Sequence, residues 1–332
     1  MLNYSNSSNS KYFYRLVALW SFCEAFAGGI LHLTKIPFAG LLVSTLSVFC
    51  IILIASTCGA SNILKATVIV IVIKFLLSPY SPPTAYIAVL FQGLCGRLFL
   101  WNKKFISAGA VMLGIFALVE SALQRLLVLM LLYGNSFWKA LDVYLNKLLG
   151  NKYEYNISLT LAVIYLIIHA VAGAGAGYYG YYIFKKTEEW KNDKSLIPAM
   201  LPATEILPKK RKKKKFKLFF LYPFLIMIIL AAVYSYGSEK FLESEFILKI
   251  VIRFILVIAI YLLIIKPMVM YFIKKKIASA EKSNSAEIQK ALKIIPEIKS
   301  IFLAAKEQSA SLSGIKRLKQ ILKIILVNVL RN

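Results

Sequence analysis

Runs of about 20 apolar residues recur along this chain, and no other feature of the sequence restricts its fold as strongly. That length is what an α-helix needs to cross a hydrocarbon layer roughly 30 Å thick. Eight runs can be marked, at about 14–34, 37–57, 62–79, 84–101, 105–133, 158–184, 216–236 and 246–273. Pro37, the stretch Ser78–Pro83 (SPYSPP) and the Asn-Lys-Lys after Trp101 separate them, since proline removes a donor and restricts the residue before it. The expected fold is an all-α polytopic membrane protein with about eight transmembrane helices, six and then two, followed by two C-terminal cytoplasmic amphipathic helices.

The charge needs a different explanation from the one it first invites. A formal charge of +26 over 332 residues would suit a nucleic-acid binder. Yet 59% of the residues are hydrophobic and 17% charged, against about 45–50% and about 25% in soluble domains. The basic excess is concentrated: residues 185–217 hold twelve Lys/Arg against four Asp/Glu, and residues 274–332 hold thirteen against four. In Lys209–Lys217 eight of nine residues are basic, and the run passes directly into the seventh apolar stretch. It reads as a topogenic signal lying on anionic headgroups, with no nucleic-acid partner expected.

Short cytoplasmic loops retain Lys and Arg. With the N-terminus inside, the cytoplasmic side receives Lys11, Arg15, Lys103, Lys104, Lys185, Lys186, the Lys209–Lys217 run and Lys274–Lys276. SPYSPP, the 134–157 loop and Gly237–Glu245 fall outside. Both termini are expected in the cytoplasm. The first run contains Glu24 and lacks a small-residue cleavage site, so it reads as a retained span. Cys23, Cys50, Cys58 and Cys95 have no metal or redox spacing and read as small buried hydrophobes. The domains expected are a six-helix membrane module (1–185), a basic linker with Pro198, Pro202 and Pro208 (186–217), a two-span module (218–273) and a cytoplasmic tail (274–332).

In the tail, Ile288, Ala291, Leu292, Ile295, Ile298, Phe302 and Ala305 recur at intervals of three and four after a capping-box-like Asn284-x-x-Glu287. A second amphipathic stretch follows Ser313-Gly314, with Ile315, Leu318, Leu322, Ile325 and Val329 on one face and Lys316, Lys319 and Lys323 on the other. Such helices lie on a membrane surface or dock to a partner.

Gly175-Ala-Gly177-Tyr-Tyr-Gly180 has dinucleotide-fingerprint spacing but sits inside an apolar run with no strand before it. Gly173-x-x-x-Gly177 and Ala176-x-x-x-Gly180 read better as a small-residue helix-packing face, as does Ala25-x-x-x-Gly29. No P-loop, HExxH or GxSxG occurs, and the only histidines are His32 and His169. The chain is not expected to be an enzyme, and a weaker possibility is an intramembrane enzyme using Glu120, Arg125 or His169. Ionisable residues at membrane depth are costly and face a cavity or a partner. They are Glu24, Lys74, Glu120, Arg125 and His169, with Gln92 and Gln124 as polar companions. Each suits either ligand contact or structural pairing, and Glu120 is spaced to meet Arg125 on its own helix or a group on another.

Two stretches resemble the energy-coupling factor (ECF) vitamin transporters. IPFAGLLVSTLSVFCIILIAS and SPPTAYIAVLFQGLCG, with six short-looped spans and a Gly/Ala-rich sixth, are similar to the substrate-binding S component. The tail ALKIIPEIKSIFLAAKEQSASLSGIKRLKQILKIILVNVL is similar to the coupling region of the T component, with Pro296 on the matching proline. The family's Ala-Arg-Gly-type signature is replaced by Gln308-Ser-Ala-Ser-Leu-Ser-Gly314. The metal-transporting members carry an N-terminal histidine; here the chain begins Met1-Leu2-Asn3, so no metal is expected.

The resemblance implies a membrane component of an ATP-driven importer for a vitamin or cofactor precursor, in a bacterial cytoplasmic (inner) membrane. No covalent cofactor is implied, and ATP would act only through separate ABC-type ATPase subunits. Glu24, Tyr80, Thr84, Tyr86, Gln92, Glu120, Gln124 and His169 would contact substrate, with SPYSPPTAY as lid or pocket wall. Pro296, Lys299, Lys306, Gln308, Lys316 and Arg317 would couple to the ATPases. The alternative is a membrane scaffold or binding protein whose basic tail recruits a cytoplasmic partner or anionic lipid without transport.

Overall fold

The computed structural model describes residues 3–27, 39–78, 81–150, 156–191, 193–196 and 254–331. Gly29, His32, Tyr80, the run Lys209–Lys217 and the seventh expected span lie outside the described residues. The described residues are helical apart from short turns and connections, with no strand among them. Helix α1 (Asn3–Phe22) passes into a π-helical turn, Cys23–Ala27. It is followed by α2 (Ala39–Cys58), α3 (Ile63–Leu77), α4 (Pro83–Phe99), α5 (Ile106–Leu148) and α6 (Ile157–Trp190). The C-terminal part holds α7 (Phe254–Ser283), α8 (Ser285–Gln308) and α9 (Gly314–Val329).

Five of these segments are long and apolar enough to cross a membrane: Gly40–Cys58, Ala60–Leu77, Lys103–Leu132, Ile157–Thr187 and Phe254–Ser283. Of the other expected spans, the 84–101 stretch forms α4, which has only 17 residues. The first expected span, 14–34, is described only as far as residue 27, and the helix that enters it, α1, begins with the polar stretch Asn3–Lys11. Helix α3 is rich in Val and Ile, residues that favour strands elsewhere. In an apolar setting a helix satisfies every backbone group within one segment, and that requirement prevails over side-chain preference.

The chain divides into two compact units, one of residues 1–122, 168–207 and 272–332, the other of residues 123–167 and 208–271. In the first unit α1 packs along α2, α3 and α8, and α4 packs on α2 and α3. Leu16, Trp20, Ile52, Ile63, Ile73 and Ile298 are among its fully buried side chains. Within the most apolar windows of α2 and α3, 56% and 44% of residues are buried in protein. The corresponding shares are 17% for the windows of α5 and α6 and 6% for that of α7, so among the described candidate spans these three leave the most apolar surface uncovered by protein. α4 contributes a single stripe, Ile87, Leu90, Leu94 and Leu98, each at least 44% exposed.

Two glycines of the expected packing face bring α6 against α5 at backbone contact. A Cβ on Gly173 would lie 2.3 Å from the Gly114 carbonyl oxygen, and one on Gly177 would lie 2.0 Å from that of Ala110. Gly180 faces Phe49 and Ile52 of α2. Ala25 is buried in the π-helical turn that follows α1.

In the second unit, the stretch expected as the 134–157 loop is helical as far as Leu148. Gly134, at φ 69°, turns the backbone there, a conformation glycine reaches without steric cost. Beyond it Asp142 caps the start of α6, accepting from the Ser158 amide at 2.6 Å and the Ser158 hydroxyl at 2.9 Å. An acceptor there satisfies an otherwise orphaned N–H and complements the positive end of the helix.

Candidate functional site

The first unit encloses a polar cluster built from four helices. The π-helical turn after α1 places Glu24 inward, where its carboxylate is 4% exposed. Lys74, near the end of α3, donates to Glu24 Oε2 at 2.5 Å, and Ser47 of α2 donates to Oε1 at 2.5 Å. Lys74 is itself 5% exposed and reaches the Ala85 carbonyl of α4 at 3.4 Å. One turn from Ser47 on α2, Ser44 accepts from Gln92 Nε2 at 3.3 Å. Gln92 is 2% exposed and its Oε1 has no hydrogen-bond partner among the described residues. Tyr86, beside Ala85, donates to the Ser78 carbonyl at 3.3 Å and sets its ring against Phe75 at 6.3 Å.

An ammonium and a carboxylate at this burial hold each other's charge in place of water. The pair is costly to assemble, and removing one partner strands a charge in a medium of low dielectric. Ser47 supplies Glu24 with a second bond, and the open Gln92 carbonyl oxygen leaves an acceptor unused inside the same network. Charge, donors and one unclaimed acceptor are thus gathered where the surroundings are apolar. That is the chemistry needed to hold a small polar molecule.

Of the residues expected to bind substrate, Glu24, Gln92 and Tyr86 fall in this region, and Thr84 lies at its rim on the first turn of α4. Glu120 is half-buried on α5, and His169 is buried on α6 one turn before Gly173. Gln124, half-buried, and Arg125, exposed, belong to the second unit. Lys74, expected as a membrane-depth charge suited to ligand contact or to structural pairing, is the partner of Glu24. Ser44 and Ser47 had no part in the expected site. Their spacing of three, on one face of an otherwise apolar run, is the signal that would have found them.

The expected coupling residues lie on α8 and α9. α8 packs its apolar face into the first unit: Ile288, Ala291, Ile295, Ile298 and Ala305 are each at most 3% exposed. Arg15 of α1 donates to Glu297 at 2.7 Å and to the Arg331 carbonyl at 2.7 Å, and Lys65 of α3 pairs with Glu287 at 2.6 Å. The expected capping box does not form. The Glu287 carboxylate is engaged by Lys65, while the Asn284 amide turns back to the Ala280 carbonyl at 3.0 Å.

Pro296 sits inside α8, Lys299 is half-buried and Lys306 exposed. Gln308 donates to the Ser195 carbonyl at 2.7 Å, and Asn328 to that of Leu196 at 2.9 Å, so the segment after α6 is held by this helical pair. At the start of α9, Ile315 is 84% and Leu318 63% exposed, flanked by exposed Lys316 and by Arg317, which donates to the Lys306 carbonyl at 3.4 Å. Comparison with protein-family models, with curated proteins and with solved structures finds no match to this chain.

Proposed function

We propose that this chain is the membrane component of an importer that binds a small polar solute of the vitamin or cofactor-precursor kind and works with separate ATPase subunits. The observation that carries the reading is the buried Glu24–Lys74 pair, with Ser47, Ser44 and Gln92 gathered around it in an apolar bundle. Charged groups at such depth are rare and mark solute pathways more often than random placement would. Glu24 and Lys74 would contact the polar part of the solute, Gln92 would accept from it through Oε1, and Tyr86 would bound the site. The resemblance to S and T components supports the same assignment.

In this reading the host membrane is a bacterial inner membrane, with both termini cytoplasmic. The partner ATPases engage the outward side of the α8–α9 pair, because the apolar face of α8 is taken up by α1 and α3. Ile315 and Leu318, with Lys316 and Arg317, form the part of that surface left open. Affinity purification of the full chain from its native membrane tests the reading. An ATPase pair retained by the full chain and lost on deleting 286–332 is the expected result. A chain that carries only lipid, with no ATPase before or after the deletion, would contradict it.

A further inference from the structure

The two halves of the buried ion pair ride on helices that are each tied to α8. On α1, Arg15 pairs with Glu297 and Glu24 closes the buried pair nine residues later; on α3, Lys65 pairs with Glu287 and Lys74 closes it nine residues later. At about 1.5 Å rise per residue, each helix spans roughly 14 Å between its α8 contact and its charge in the cluster.

Between the two ion pairs, α8 is seated on the bundle by Ala291 and Ile295, and beyond Glu297 by Ile298. Lys290 lies over the Tyr14 ring at 5.3 Å, and Phe302 meets Phe22, one residue before the π-helical turn, at 6.0 Å. α8 therefore holds α1 and α3 in one longitudinal register. That register is what brings the Glu24 carboxylate and the Lys74 ammonium together.

We propose that α8 is a crossbar that controls the polar cluster: displacing it slides α1 against α3 and opens the Glu24–Lys74 contact. The segment after α6 is clasped to the same helical pair by Gln308 and Asn328, with Leu196 buried between Ala305, Ile324 and Val327. A partner seated on the open side of α8 and α9 thus acts on the site from a distance without touching it. The inference rests on the cluster being the solute site only for its biological meaning; the mechanical link stands or falls separately. A two-state element biased from both ends must also be reciprocal.

Hydrogen–deuterium exchange on the purified full chain tests the link without any ligand. The Glu287→Gln/Glu297→Gln variant should speed exchange at least fivefold in peptides covering 22–27 and 70–77, while 138–148 in the second unit stays unchanged. Reciprocally, Glu24→Leu/Lys74→Met should speed exchange in 287–300 by a similar factor. Arg15→Gln, a milder change, should repeat the effect at 22–27 with a smaller amplitude. Acceleration confined to 285–300 and to the residues directly facing it in the first variant, or no change at 287–300 in the second, would overturn the proposal. Failure of these arms leaves the solute-binding reading intact, because that reading is decided by what the protein carries.

Discussion

Lys74 and Glu24 illustrate how one buried contact can serve two ends with opposite costs. Replacing either alone strands the other's charge, and Lys74→Met or Glu24→Leu should each destabilise the chain by about 3–5 kcal/mol. The double replacement, with two apolar side chains of similar size, should recover most of that loss in a thermal unfolding assay in detergent. A double variant that is stable yet no longer binds solute separates function from folding. Asp193 carries a different, exposed signature: the Ser195 hydroxyl and amide hold its carboxyl below the usual carboxylate range, with Lys323 adding to the effect. Its contribution to folding is present above the ordinary carboxylate range and is lost as pH falls through the lowered folded value. The protection factor of 190–196, corrected for the pH dependence of intrinsic exchange, should therefore fall on acidification in the wild type and lose that step in Asp193→Asn. The sequence marks Glu24 and Lys74 singly as membrane-depth charges, but not as partners. They are 50 residues apart, and only the packing of α1 on α3 joins them.

Helices α5 and α6 meet where side chains are missing. Gly173→Leu or Gly177→Val would force a side chain into the Gly114 or Ala110 backbone and should lower the unfolding temperature sharply, as overpacking between main chains has no flexible neighbour to yield. Gly175→Ala, with nothing within 4 Å of the added carbon, should be neutral or stabilising by about 0.5–1 kcal/mol. The contrast within one GxGxxG-spaced stretch, read by differential scanning fluorimetry, separates a packing face from a loop that needs every glycine. Element type was legible here because three-to-four periodicity and long apolar runs specify helices locally. Partners were not. The stripe Ile288–Ile295–Ile298 of α8 announces an apolar neighbour without saying that the neighbour is α1, almost 280 residues earlier. The capping box failed for the same reason: Glu287 is claimed by Lys65, a residue that local pattern cannot see.

For the molecule as a whole, five long apolar helices among the described residues are consistent with an integral membrane protein, and the distribution of lysine sets its expected orientation. The run Lys209–Lys217 lies outside the described residues, so its role is argued from charge alone. Neutralising Lys209–Lys215 should disturb the orientation of the two spans that follow, read with reporter fusions before and after each. An unchanged map would remove the topogenic role. The helix count shows what composition leaves out. α1 has a polar first half, and much of α2 and α3 is buried in protein, so apolar length identifies helices suited to lipid without saying how much of each one meets it. The central claim is that the cluster around Glu24 and Lys74 holds a small polar solute. Mass spectrometry of molecules released from the purified full chain measures this directly, comparing the wild type with Glu24→Leu/Lys74→Met. A single small molecule released in near-stoichiometric amount by the wild type and absent from the folded variant is the predicted result. The same molecule at equal occupancy in both proteins, or none in the wild type, would contradict it.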